Sequence, residues 1–151
     1  LGSNQTSVSF NSFSGYTDLI IVAHVKGNDG ATCIRFNSDT GTNYSATRLA
    51  GYGSSASSYQ VTNGTYIGTA TNLSVNAGDL QIAFFHIMNY SNSNIYKTVL
   101  VRDGMATHGT GGYVGLWRNT NAITSLSLAP EFGSNTFYSG SIITIYGIKA
   151  A

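Results

Sequence analysis

Charge is what this sequence has least of: seven basic and six acidic residues among 151, a net charge of +1, and 9% charged residues in all. A surface so poor in Lys and Arg offers no electrostatic footprint for nucleic acid or for an anionic membrane, and neither is expected as a partner. Cysteine is nearly absent as well. Cys33 stands alone, so no internal disulfide can form, and it reads as a buried small hydrophobe. The single proline, Pro130, follows a strand read as ending near Leu128, where a missing N–H costs least. No apolar run approaches the roughly 18 residues that span a bilayer, and no basic stretch followed by an apolar segment opens the chain as a signal peptide does. The chain starts at Leu1 without an initiator methionine, so it is expected to be the C-terminal domain of something longer.

What replaces charge is Ser, Thr, Asn and Gly beside 42% apolar residues. The apolar residues supply the burial that a disordered chain lacks, and the length suits one domain. They recur with period two or in short unbroken runs bounded by Gly, Asn, Asp and Ser, and never hold a helical period for three turns. The pattern predicts an all-β protein of two packed sheets. Its strands are Thr6–Phe10, Asp18–Lys26, Ala31–Asn37, Ala46–Tyr52, Thr65–Thr69, Asp79–Asn89, Tyr96–Met105, Gly112–Arg118, Ile123–Leu128 and Ser141–Lys149. Gly27-Asn28-Asp29-Gly30 predicts a tight hairpin pairing the strands on either side, because Gly and Asn tolerate positive φ. Gly53–Ser58 is all small residues and reads as an exposed loop. Leu19–Val25 and Leu80–Met88 are apolar on both alternating faces, so a partner subunit or loops are expected to cover the outer one, an oligomer being favoured over a central strand with a packed outer face.

The search for chemistry returns little. His24 and His86 fall inside apolar strands and read as hydrogen-bonded structural histidines, while His108, in a glycine-rich loop, is expected to be exposed. Asp18, Asp29, Asp39, Asp79, Asp103 and Glu131 are scattered, mostly as turn formers or at strand ends. No Gly-x-Ser-x-Gly elbow or phosphate loop is present. Asp39-Thr40-Gly41-Thr42-Asn43-Tyr44 offers oxygen ligands like a calcium loop but lacks its bidentate Glu and spacing. Asn-x-Ser/Thr triplets at Asn4, Asn43, Asn63, Asn72 and Asn89 are what a chain rich in these residues produces by chance. No catalytic, cofactor-binding or metal-ligating residue is therefore assigned. Ten tyrosines, seven phenylalanines and Trp117 raise a sugar-binding reading, since aromatic faces stack on sugar rings. Trp117 is expected in the core. Tyr52, Tyr59, Tyr90, Tyr113 and Tyr138 lie in or beside Gly/Ser/Asn-rich segments and are the expected exposed binding residues.

Several blocks, taken in order, carry a resemblance. They are Thr6–Phe10 with Tyr16–Leu19, Arg35–Tyr44, Tyr96–Val99, Gly115–Leu126 and the closing Tyr146-Gly147-Ile148-Lys149. Together they cover most of the chain and resemble small β-sandwich structural proteins of tailed bacteriophages and prophages. The resemblance implies a jelly-roll-like antiparallel β-sandwich located in a virion, as head decoration or as a tail or fibre appendage. It carries no established active site, and none is transferred. The expectation is a non-enzymatic structural protein without cofactors, assembling with itself, a homotrimer being favoured, and with other virion proteins. The alternative is a carbohydrate- or receptor-binding module at a fibre tip, directed to a host surface glycan.

Overall fold

Period-two alternation becomes eleven strands in a computed structural model that describes residues 1–74 and 79–150. They are β1 (Val8–Asn11), β2 (Asp18–Val25), β3 (Ala31–Phe36), β4 (Tyr44–Tyr52), β5 (Ser55–Gly64), β6 (Ile67–Asn72), β7 (Gln81–Ile87), β8 (Lys97–Met105), β9 (Gly109–Trp117), β10 (Ser125–Pro130) and β11 (Ile142–Ile148). All pairings are antiparallel. A four-stranded sheet has the order β1-β10-β3-β6 and a seven-stranded sheet the order β11-β2-β7-β8-β9-β4-β5. Only β4–β5, β7–β8 and β8–β9 are sequential neighbours in one sheet; every other connection crosses between sheets, the path of a jelly-roll-like sandwich.

Two local expectations fail. The Gly27–Gly30 turn does not pair β2 with β3, because β2 lies in the large sheet and β3 in the small one. Instead the turn carries the chain across the sandwich, and Gly27 bridges Phe137 where a Cβ would sit 2.5 Å from the Thr136 carbonyl. The segment read as a loop at Gly53–Ser58 is largely strand: β5 starts at Ser55 and pairs with β4 through eight residues from Tyr44↔Gly64 to Tyr52↔Ser55. Nearly every β5 residue is exposed, so the strand is held by its ladder and lacks the apolar signal that marks the others. Pro130 is the last residue of β10, paired with Thr32, and β1's ladder ends two residues earlier at Leu128.

The core lies between the sheets. Leu19, Ile21, Ala23 and Val25 of β2, with Ala83, Phe85 and Ile87 of β7, face Ile34, Phe36, Leu126 and Leu128 of the small sheet. At one end Trp117, buried as expected, stacks with Tyr44 at 6.4 Å between centroids and packs on Phe36 at 5.6 Å. The Tyr44 hydroxyl accepts from the Phe36 N–H at 3.0 Å and donates to the Asp39 carbonyl at 3.2 Å. Burial pushes its pKa up to about 12. Cys33 is buried as read, and burial pushes its thiol up.

The other end is polar. β3 and β6 slip register between Ala31↔Asn72 and Cys33↔Gly68, so Thr69–Thr71 bulge out of the ladder. Groups freed by the bulge find partners across the sandwich. Asp103 of β8, 4% exposed, accepts from the Ala70 N–H (3.0 Å), the Thr71 N–H (2.8 Å) and the Thr71 hydroxyl (2.6 Å). Gln81 of β7 donates to the Thr71 carbonyl and accepts from the Thr32 hydroxyl, and the Thr32 N–H donates to the Thr69 hydroxyl. β6 can lie this close to β9 because Gly111 and Gly115 face it. A Cβ at Gly111 would collide with the Ala70 methyl, and one at Gly115 would meet Ile67 at 2.8 Å.

Two stability outcomes follow. Asp103→Asn turns an acceptor of three donors into a group that sets an NH₂ against N–H, and should cost about 3 kcal/mol or more in urea unfolding. Trp117→Ala should cost about 3–5 kcal/mol; a change under ~1 kcal/mol would contradict its place in the core.

Candidate functional site

Two surfaces are built by the same seven-stranded sheet, one on each face. The outer face follows from strands that are apolar on both sides. Residues at outward positions are Ile142 (60% exposed), Tyr146 and Ile148 on β11, Ile20 and Val22 on β2, Ile82 and Phe84 on β7, Leu100 on β8 and Val114 on β9. The register sets them side by side: Tyr146↔Ile20, Val22↔Phe84 and Leu100↔Val114. Its charged groups stand within the apolar rows, Arg102 of β8 paired with Phe84 and His86 of β7 between Ile20 and Leu100. Arg102 stacks over Phe84 at 5.6 Å, and His86 contacts Asp18 at 2.9 Å. His86 is thus hydrogen-bonded as expected, whereas His24 is exposed on this face beside Ile142 and Ile82 and is not a buried structural histidine.

The inner face carries a groove because the sheets differ in width. β6, the edge of the small sheet, lies against β8 and β9. β5 and the outer side of β4 overhang beyond it: Tyr44 and Ala50 of β4 are buried under the small sheet, whereas Arg48 is half-buried and most inward residues of β5 are exposed. A cavity of about 620 Å³ results, with Arg48, Tyr52 and Tyr59 on the overhang and Tyr66, Asn72 and Glu131 on the opposite wall. Tyr59 pairs across the ladder with Arg48, whose guanidinium sits 5.0 Å from the ring centroid, a cation–π contact. The Tyr52 hydroxyl donates to the Ala70 carbonyl at 2.6 Å, and the Tyr52 ring meets His108 edge-on. His108 is exposed, as its loop predicts. Glu131 and Phe132 both adopt positive φ (51° and 46°), a costly conformation for a ring-bearing residue. Phe132 is held there by Arg35, 3.9 Å from its centroid, and by Tyr66.

Tyr113 lies at the base of this groove. It is 8% exposed, and among the described residues its hydroxyl is the buried side-chain polar atom with no hydrogen-bond partner. Burial, with Asp103 nearby, raises its pKa well above the phenol range.

The five tyrosines singled out from the sequence therefore divide. Tyr59 is exposed and Tyr52 half-buried, and both line the groove. Tyr113 lines it too but is buried, contrary to expectation, because β9 is central in the sheet and Tyr113 points inward. Tyr90 is also buried, at 3% exposed, with its ring edge-on to Phe13, contrary to what its asparagine- and serine-rich surroundings predict. Tyr138 is half-buried and lies outside the groove. Arg48, Tyr66 and Glu131 were not singled out. The available signal was Tyr59-x-Val61, two residues placing bulk on one side of an otherwise small, polar strand.

The loop with calcium-like composition has another use. Asp39 accepts from the Trp117 indole N–H at 2.7 Å, the Asn43 amide at 2.9 Å and the Gly41 N–H at 2.8 Å. Its oxygens cap the turn and anchor the core tryptophan. Among the described residues no group of three or more His, Cys, Asp or Glu could hold a metal. Asp29 and Asp79 border one shallow depression with His108; Asp29 accepts from the Gly30 N–H and Asp79 from the Ser74 hydroxyl.

No protein-family model matches this chain, and no curated protein matches it at a significant level.

Partial burial acts to raise the Asp39 carboxyl, but the hydrogen bonds from Trp117, Asn43 and Gly41 outweigh it and hold the pKa below the usual carboxylate value. A lowered folded-state pKa favours the ionised form. Its stabilisation is present in full above the unfolded value of about 4 and is lost as pH falls through the folded one. Thermal melts from pH 7 downward should show this loss, and Asp39→Asn should flatten the profile in that window while lowering stability at neutral pH.

Proposed function

We propose that this protein is a non-enzymatic structural component of a tailed-phage virion, assembling with copies of itself through the outer face of its seven-stranded sheet. The observation that carries the reading is that face: rows of exposed and half-buried Ile, Leu, Val, Phe and Tyr run across β11, β2, β7, β8 and β9, interrupted by Arg102, His24 and the His86–Asp18 pair. An isolated soluble domain rarely leaves so continuous an apolar surface in water. Five strands spaced ~4.8 Å apart and about seven residues long give a footprint of about 550 Å². Two such footprints bury about 1,100 Å², above the roughly 1,000 Å² that a specific contact needs. A second copy is the occupant that fits, because identical apolar rows are self-complementary about a symmetry axis, while Arg102, His24 and the His86–Asp18 pair are the few polar groups a heterologous partner could orient on.

The order of the sequence blocks that resemble phage structural proteins supports placing the assembly in a virion. A trimer, the state that resemblance favours, divides this face between two neighbours around a three-fold axis, whereas stacking of the whole face closes a two-fold pair. Decoration of a head and service in a tail or fibre both use such symmetric contacts.

Light scattering coupled to size exclusion should give a mass of two or more subunits. Leu100→Lys, at the centre of the face, should give the monomer mass with little change in melting temperature. A wild-type monomer at high concentration would sink the proposal. Labelled protein titrated in parallel on tailed-phage heads stripped of appendages and on intact host cells then separates decoration from fibre service.

A further inference from the structure

We propose that the groove between β6 and the β4–β5 overhang is a binding site for a neutral oligosaccharide, read by the faces of Tyr59 and Tyr52 and by the hydroxyl of Tyr113. This goes beyond self-assembly and is independent of it, since the groove opens on the inner face of the large sheet and the subunit contact uses the outer one.

Four observations lead there. The groove's 620 Å³ lies within the ~300–1,000 Å³ of small-ligand sites. Its aromatic side chains are fixed before any ligand arrives: Tyr52 by its bond to the Ala70 carbonyl, Tyr59 by Arg48, Tyr66 by Phe132. Rigid aromatic faces bind at low entropic cost, and sugar rings present the C–H surfaces that stack on them. The charges oppose each other, Arg48 on one wall and Glu131 on the other, and Arg48 is turned onto a ring, so neither a phosphate nor a carboxylate finds a bidentate clamp. Finally, Tyr113 lines the groove and keeps a hydroxyl that is buried and without a partner, so a ligand meets it once the side chains over it shift. A polar atom in that state is costly unless something completes it, and a sugar hydroxyl, both donor and acceptor, is suited to do so.

The test uses the full chain on an array of neutral, acidic and amino oligosaccharides, followed by calorimetric titration of the neutral glycans that bind. Tyr59→Ala, on an exposed edge strand, should lower affinity about tenfold or more. Tyr113→Phe should lower it about tenfold while leaving the melting temperature equal or higher, because the hydroxyl removed has no partner in the free protein. Leu100→Lys should bind as wild type does, which separates this site from self-association. The proposal is overturned if no glycan binds, if only acidic glycans bind, if both tyrosine variants bind unchanged, or if Tyr113→Phe melts markedly lower.

Discussion

Asp103 reaching across the sandwich to the bulge in β6 is the contact on which the two surfaces depend. Strands of one sheet satisfy each other, but a bulge leaves N–H and C=O groups that must find partners elsewhere. Here they are met by a carboxylate and an amide projecting from β8 and β7 of the opposite sheet, so the polar ends of the two sheets are bolted together as well as packed. A buried carboxylate with three donors permits one relative position of the sheets, whereas aliphatic packing alone tolerates sliding. That position puts β6 over β8 and β9, with Gly111 and Gly115 making room, and leaves β5 and part of β4 uncovered.

The seven-to-four mismatch in strand number then has two consequences. Inside, the overhang turns a sheet face that would be core into a lined groove, with Arg48, Tyr52 and Tyr59 where buried aliphatics would otherwise stand. Outside, the large sheet presents a broad surface whose central strands are apolar on both sides. Neither surface needs a dedicated loop or domain; both follow from which strands the small sheet fails to cover.

Much of this was legible in the chain. Ten of the eleven strands announce themselves through alternation or apolar runs, the double-sided strands β2 and β7 mark the outer face, and Trp117 reads as core. What stayed hidden depends on tertiary placement. β5 is a strand because β4 offers a ladder, and its Ser, Thr and Asn residues carry no burial signal. Gly27–Gly30 has the residues of a tight turn, but those same residues suit a close crossing, and only the sheet order decides between them. Tyr90, Tyr113 and Tyr59 all sit among small or polar neighbours, yet tertiary placement, which local composition does not encode, separates them: Tyr113 points inward from central β9, Tyr90 packs on Phe13 from the turn after β7, and Tyr59 lies on edge strand β5. The groove was legible only as an excess of tyrosine, since its walls come from five strands and the turns between them, far apart in the chain.

The scarcity of charge ties the two surfaces together. A protein with thirteen charged side chains cannot keep its copies apart by electrostatic repulsion, so it must specify by shape where they meet. The apolar rows on β11, β2, β7, β8 and β9 do that on one side. On the other, the long β5 edge is the hazard, because an uncharged exposed strand invites unspecific pairing. Two features oppose such pairing: β5 slips register against β4 between Tyr44 and Ala46, and Arg118 reaches to the Thr62 carbonyl and the Asn63 side chain at its end. Held as the outermost strand of a sheet whose centre is fixed by the Asp103 bolt, β5 becomes a rigid rim. A groove with such a rim is formed before its ligand arrives, and a module repeated about a symmetry axis presents several of them at once, so that weak single-site contacts add up to firm attachment.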